Sequence, residues 1–248
     1  MRLPADIDKR LHEPILAYLA VIVIAASTYW FGRVVPFLLE LSPGLLACAF
    51  LFGPQLAARL SGIPFDPKEA GITMDPWRRS LRILGMALLI TWPLYLVGFF
   101  LFYGATCPVN APFHRLPGLV HPLCPGWKGL GFHLTVPSGL LLTALTQVLV
   151  VAIPEEVFFR GYLLSRFEAR WPSGTKWLGV SVGWPLVLSS VLFGVGHFLV
   201  DFQPTRLAVV VPGFVFGYMR LRSGSVAPGA LFHALCNLIA QLLHESYF

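Results

Sequence analysis

Residues 154–160 read Pro-Glu-Glu-Val-Phe-Phe-Arg inside an otherwise apolar run from Ser138 to Leu164. A charged side chain at bilayer depth costs roughly 2.5–3.5 kcal/mol on insertion scales, so charges persist there mainly where they serve a function. On a helix Glu156 and Arg160 stand four apart on one face and can pair, whereas Glu155 is turned away by about 100°. This spacing predicts one carboxylate neutralised by the arginine and a second left free for proton chemistry. Two later apolar runs also carry polar groups at depth, Phe193-x-x-x-His197 and His233-x-x-x-Asn237. His233 and Asn237 share a helical face and offer two adjustable hydrogen-bonding groups. Polar residues converging from three apolar segments are the signature of a buried site.

These residues must be held by membrane helices. The chain has 248 residues, is 56% hydrophobic and only 12% charged, with mean hydropathy +0.72, whereas soluble domains carry about 25% charged residues. Apolar stretches near 15–39, 43–60, 81–103, 138–164, 180–200, 207–221 and 226–244 are long enough, or nearly so, to cross roughly 30 Å of hydrocarbon. Helices and closed barrels alone satisfy the backbone in lipid, and the alternating pattern of a barrel is missing. The fold class is therefore all-α, a polytopic bundle of about seven to eight transmembrane helices, read as a single membrane-embedded domain over 1–248. With the amino terminus inside, 14 of the 18 Lys and Arg fall on the inner side, which the positive-inside rule favours. The formal charge of +6 then anchors the chain to anionic lipid and requires no nucleic acid.

The connections are mostly scaffold. Residues 62–80 form a turn-rich polar linker. The extramembrane loop 105–134 lies outside in this topology and holds Cys107 and Cys124, a candidate disulfide in an oxidising compartment. It also holds His114, His121 and His133, whose spacing matches no zinc signature. Cys48 and Cys236 read as small packing residues within apolar spans, and Gly213 and Gly217 as a small-xxx-small helix contact. One conflict stands out: His197 falls near the outer end of its span, whereas Glu155 and His233 fall in the inner half. Sharing one water requires the connection 201–205 to fold back into the membrane, or the fifth span to begin later than residue 180.

Glu155-Glu156-x-x-x-Arg160, Phe193-x-x-x-His197 and His233-x-x-x-Asn237, in this order on hydrophobic helices, resemble the three motifs of the CPBP family, the CAAX-processing and bacteriocin-processing intramembrane proteases that include Rce1-like enzymes. The resemblance covers 138–244, and the myxosortases are the candidate subgroup. It implies a glutamic intramembrane endopeptidase without metal or other cofactor. The residues are consistent with that chemistry, since neither a Gly-x-Ser-x-Gly nucleophile nor a His-Glu-x-x-His zinc motif is present and water must attack. Glu155 would take the water proton with help from His197. The family implies His233 and Asn237 as oxyanion donors, with Glu156, Arg160 and Phe193 orienting the site or contacting substrate. The expected partner is a membrane-embedded or lipidated protein: a prenylated CaaX tail, a leader peptide or a carboxyl-terminal sorting signal. The expected location is a bacterial inner membrane. Two rivals remain open. One is a zinc protease with Glu155, His197 and His233 as ligands; the other is a non-enzymatic transporter or immunity protein using the same groups.

Overall fold

A computed structural model describes residues 5–113, 124–171 and 174–248. Its helices are α1 (Ala5–Gly32), α2 (Pro36–Ser61), α3 (Trp77–Thr106), α4 (Leu140–Arg170), α5 (Trp184–Asp201), α6 (Val210–Ser223) and α7 (Ala227–Tyr247). A short hairpin of β1 (Thr175–Trp177) and β2 (Val180–Val182) precedes α5, and a 3₁₀ turn, Pro204–Val209, precedes α6. The protein is thus an all-α polytopic bundle. Five helices, α1 to α5, are long and apolar enough to cross a membrane. By contrast α6, with 14 residues, is about 21 Å long, shorter than a bilayer core of about 30 Å.

Two boundaries differ from the sequence reading for local reasons. The fifth helix starts at Trp184 because residues 175–182 pair as a hairpin. Its two-residue turn, Leu178-Gly179, has φ of 46° and 79°, the double positive φ of a type I′ turn that matches strand twist. The first helix ends at Gly32, and Pro36 opens α2 after a short turn, as suits a residue with fixed φ and no N–H to satisfy.

The bundle is organised around α4. Phe158, Phe159, Tyr162, Leu163 and Phe167 pack against Tyr18, Val21 and Ile22 of α1, Phe50 of α2, Phe193 of α5, Phe216 and Met219 of α6, and Phe232 of α7. The outer helices reverse the soluble pattern: Leu89, Ile90, Leu94, Val97 and Leu101 of α3 are all exposed. In lipid such a surface carries no hydrophobic penalty, so helix association depends on packing and hydrogen bonds. Gly217 shows how close the packing is, since a Cβ there would clash with Leu186 Cδ1.

Each end of the bundle is tied together by polar contacts. At one end Arg166 Nε lies 3.0 Å from Glu13 Oε2, Arg220 Nη1 lies 3.3 Å from Glu168 Oε2, and Val226 N–H donates to Gly71 O at 2.9 Å. At the other, Lys128 Nζ donates to Ser246 O at 3.0 Å and Trp127 stacks between Tyr103 and Tyr247, capping the unpaired carbonyls at the end of α7. Cys107 and Cys124 form a disulfide at this second end. Of the loop histidines, His133 packs on Tyr247 with ring centroids 5.5 Å apart, and His114 and His121 lie outside the described residues.

The disulfide closes a loop 17 residues long, for which chain entropy gives a stabilisation of about 3 kcal/mol. Replacing both Cys107 and Cys124 by Ser should lower the midpoint of thermal unfolding in detergent. Reductant should lower the wild-type midpoint likewise and leave the double variant unchanged.

Candidate active site

The local shape of α4 begins with Pro154, which has no N–H and whose ring crowds the carbonyl four residues back. The helix responds by widening. Ile153 N–H donates to Val148 O, five residues back, and residues Gln147–Ala152 are π-helical; a second π-helical segment spans Val157–Leu163. Single π turns inside α-helices occur frequently at functional sites. Ser189 of α5 reaches across to donate its hydroxyl to Phe159 O at 2.8 Å. Every residue from Glu156 to Leu164 is buried.

Within this buried turn Glu156 and Arg160 pair as their spacing predicts. Arg160 Nη1 donates to Glu156 Oε1 at 2.9 Å, and both side chains are 0% exposed. A lone pair of buried charges seldom recovers its desolvation cost without further hydrogen bonds. Here Arg160 Nη2 donates to Gly213 O at 2.9 Å, and the guanidinium lies over Phe193 at 4.3 Å and Phe216 at 5.2 Å. A Cβ on Gly213 would approach Arg160 Nη2 to 3.1 Å, so the glycine that brings α6 close also exposes the carbonyl. The same Glu156 Oε1 lies 3.2 Å from His233 Nδ1 on α7, whose ring stacks on Phe216.

Glu155 is placed differently. Its side chain is 15% exposed, it makes no direct pair with Arg160, and its Oε2 lies 3.9 Å from His233 Nε2. That separation is beyond hydrogen-bond reach. His197 Nδ1 lies 2.9 Å from Phe193 O, and its ring sits 4.5 Å from the Phe193 ring. Asn237 Nδ2 donates to Gln147 Oε1 at 2.9 Å. The structure therefore gathers Glu155, Glu156, Arg160, Phe193 and His233 directly, sets His197 one turn beyond Phe193, and joins Asn237 to α4 through Gln147. The connection after α5 also turns back along that helix: a Cβ on Gly194 would lie 3.3 Å from Leu207 O and 3.2 Å from Val210 N.

Sequence reasoning did not single out Gln147, Phe216, or the carbonyl of Gly213. Gln147 was visible as an amide in an apolar run, but an ideal helix puts it on the wrong face. The other two act through a ring face and a main-chain oxygen, which residue type does not announce. Among the described residues no group of three His, Cys, Asp or Glu side chains is arranged to hold a metal ion, and the zinc reading requires Glu155, His197 and His233 to form one. A cavity of about 280 Å³ opens elsewhere, between the 62–76 connection, the end of α4 and α6. Phe65, Asp66, Glu69, Arg166, Glu168 and Arg220 line it, and no motif residue does.

Residues 137–239, which contain all of these motif residues, match the family model for Rce1-like type II CAAX prenyl endopeptidases. Over these residues the chain is similar to that family. The match indicates a protease, a hydrolase of peptide bonds, and the apolar helices make it an integral membrane protein. No curated protein and no solved structure matches the chain.

The pairing of Glu156 with Arg160 is testable apart from activity. Arg160→Ala leaves the buried Glu156 carboxylate with His233 but without its cation, a loss of the kind that costs about 3–5 kcal/mol. Adding Glu156→Gln should recover much of that loss, because the amide oxygen still accepts from His233 without a charge. Adding Glu155→Gln to Arg160→Ala should recover none. Thermal unfolding of the four proteins in detergent makes the comparison, and equal rescue by either glutamine would show that both carboxylates share the arginine.

Proposed function

We propose that this Rce1-like protein hydrolyses a peptide bond by a water that Glu155 activates. The observation that carries this reading is the division between the two carboxylates: Glu156 is committed to Arg160 and His233, whereas Glu155 makes no direct ion pair with Arg160 and keeps partial exposure. A base needs a free lone pair within reach of its proton; Glu156 Oε2 also lacks a partner but belongs to a fully buried carboxylate paired with Arg160, whereas Glu155 stands outside that pair and is 15% exposed. His197 complements it. A carbonyl only accepts, so the 2.9 Å contact to Phe193 O requires the proton on His197 Nδ1. In the neutral ring Nε2 is then an acceptor, suited to hold one proton of a water whose other proton passes to Glu155.

The bonds balance as follows. Glu155 takes a proton from water, the oxygen forms a bond to the scissile carbonyl carbon, and the carbonyl oxygen becomes an oxyanion. The proton then passes from Glu155 to the amide nitrogen, the C–N bond breaks, and carboxylate and amine products form. His233 has Nδ1 turned to Glu156, so Nε2, when protonated, is its donor to the oxyanion. Asn237 keeps one N–H beyond the one given to Gln147. Such preorganised donors in a low-dielectric site stabilise developing charge strongly. Arg160 and Phe193 act by holding Glu156 and the His197 helix.

For substrate we propose a lipidated carboxyl-terminal tail, in keeping with the CAAX prenyl description of the family; leader peptides and sorting signals are the competing outcomes. The disulfide end of the bundle would face an oxidising compartment.

The test uses purified protein in detergent and an internally quenched peptide with a farnesylated CaaX end. Wild type should cleave it, and Glu155→Gln and His197→Ala should each lose about 100-fold or more in rate while retaining wild-type helicity. Wild-type-like cleavage by Glu155→Gln would overturn the mechanism. Cleavage should also survive exhaustive chelation; loss with phenanthroline and recovery with zinc would transfer Glu155 to the role of a metal ligand. Failure on the farnesylated peptide, with cleavage of a leader or sorting peptide, would reassign the substrate and leave the chemistry standing.

A further inference from the structure

We propose that Gln147 is a positioning residue for the reaction, fixing the side-chain amide of Asn237 so that its second N–H points at the oxyanion. The inference rests on the reading of Asn237 as an oxyanion donor and extends it to a residue outside the three motifs. Gln147 Oε1 accepts a hydrogen bond from Asn237 Nδ2 at 2.9 Å, between partly buried side chains 90 residues apart in sequence. A primary amide has two N–H donors and one acceptor oxygen. Left unbound, Asn237 could turn over about its terminal torsion, which is broad and roughly two-fold, and present oxygen where a donor is needed. With Gln147 Oε1 at Nδ2, that turn would set two amide oxygens against each other, so it is opposed unless both amides turn together.

The shape of α4 explains why Gln147 is in position to do this. Gln147 is eight residues before Glu155, and in an uninterrupted α-helix that interval overshoots two turns by about 80°. The π-helical segment Gln147–Ala152 lies between them and absorbs about one residue of register. The remaining offset is about 20°, so Gln147 and Glu155 occupy one face. The same face meets α7 twice, through Glu155 and Glu156 at His233 and through Gln147 at Asn237. The widening that accommodates Pro154 thereby brings the second contact into line with the first.

A plain helix–helix tether would also use such a bond, since interhelical amide bonds add stability in membranes. Positioning predicts a further effect on turnover. On the farnesylated CaaX peptide, Gln147→Met, close in size but without the acceptor, should lower kcat by about tenfold or more, approaching the ~10²-fold loss typical of an oxyanion donor. KM should stay within about twofold, because the donor acts in the transition state. Gln147→Glu restores an acceptor and should recover most of kcat, which a loss of mere packing would not do.

A second readout does not need substrate. The chain's only other asparagine is the exposed Asn110, so selective ¹⁵N-asparagine labelling yields two side-chain amides, assigned by Asn237→Asp. The Asn237 amide should show slowed proton exchange in wild type and Gln147→Glu, and fast exchange in Gln147→Met. Unchanged kcat and exchange in Gln147→Met would overturn the proposal while leaving the Glu155 mechanism intact. Slowed exchange lost with kcat unchanged would make Gln147 a tether only, which also overturns it. If Asn237→Ala itself keeps wild-type kcat, the oxyanion role fails first and the proposal with it; if Glu155→Gln alone keeps activity, the failure lies in the mechanism.

Discussion

The carboxylate oxygen Oε1 of Glu156 is the point on which the centre of the molecule depends. It accepts from Arg160 at 2.9 Å and faces His233 Nδ1 at 3.2 Å, with no exposure to the outside. Burying an ion pair is favourable only when its remaining donors are satisfied and its geometry is good. The bundle answers that demand in part with groups from three helices: the carbonyl of Gly213 on α6, the rings of Phe193 on α5 and Phe216 on α6, and His233 on α7, while Arg160 Nε and Glu156 Oε2 have no hydrogen-bond partner. Each of those helices is thereby fixed against α4. Such contacts matter more here than in water-soluble proteins, because apolar burial against lipid contributes little to helix association.

The pair also sorts two chemically identical neighbours. Glu155 and Glu156 are adjacent, yet one is fully buried and doubly engaged, and the other retains 15% exposure beside His233 Nε2. Environment can assign two carboxylates two roles, as it does wherever like groups are pushed into unlike surroundings. An arginine four residues along a helix is a simple means of doing so, provided the helix is rigid at that point. The surrounding aromatic cluster of Phe158, Phe159, Tyr162, Phe193 and Phe216 supplies that rigidity.

The two polar ends of the bundle hold the same geometry from outside. Glu13 with Arg166, Glu168 with Arg220, and Gly71 with Val226 tie α1, α4, α6 and the start of α7 together at one end. The disulfide-bonded connection with Lys128 and Trp127 holds the far end of α7. Helix α7 carries His233 and Asn237, so both of its ends are clamped while its middle faces α4. In that setting small errors in the positions of His233 and Asn237 are suppressed from outside the buried centre.

The sequence by itself determined the membrane class, the helical architecture, and the pairing of Glu156 with Arg160. Hydrophobic runs of span length admit few other folds, and a four-residue interval has one geometric meaning on a helix. The same logic drew His233 and Asn237 onto one face and flagged Gly213 and Gly217 as a close approach. Only the tertiary structure decided which residues meet across helices. That His233 faces Glu156 through Nδ1, that His197 bonds back to Phe193 O, and that Asn237 finds Gln147 depend on crossing positions that no local spacing encodes. It also decided the register of α4: a π-helical turn shifts every later residue by about 100°, and a periodicity of 3.6 read along the chain places Gln147 on a face that the folded helix has turned away from.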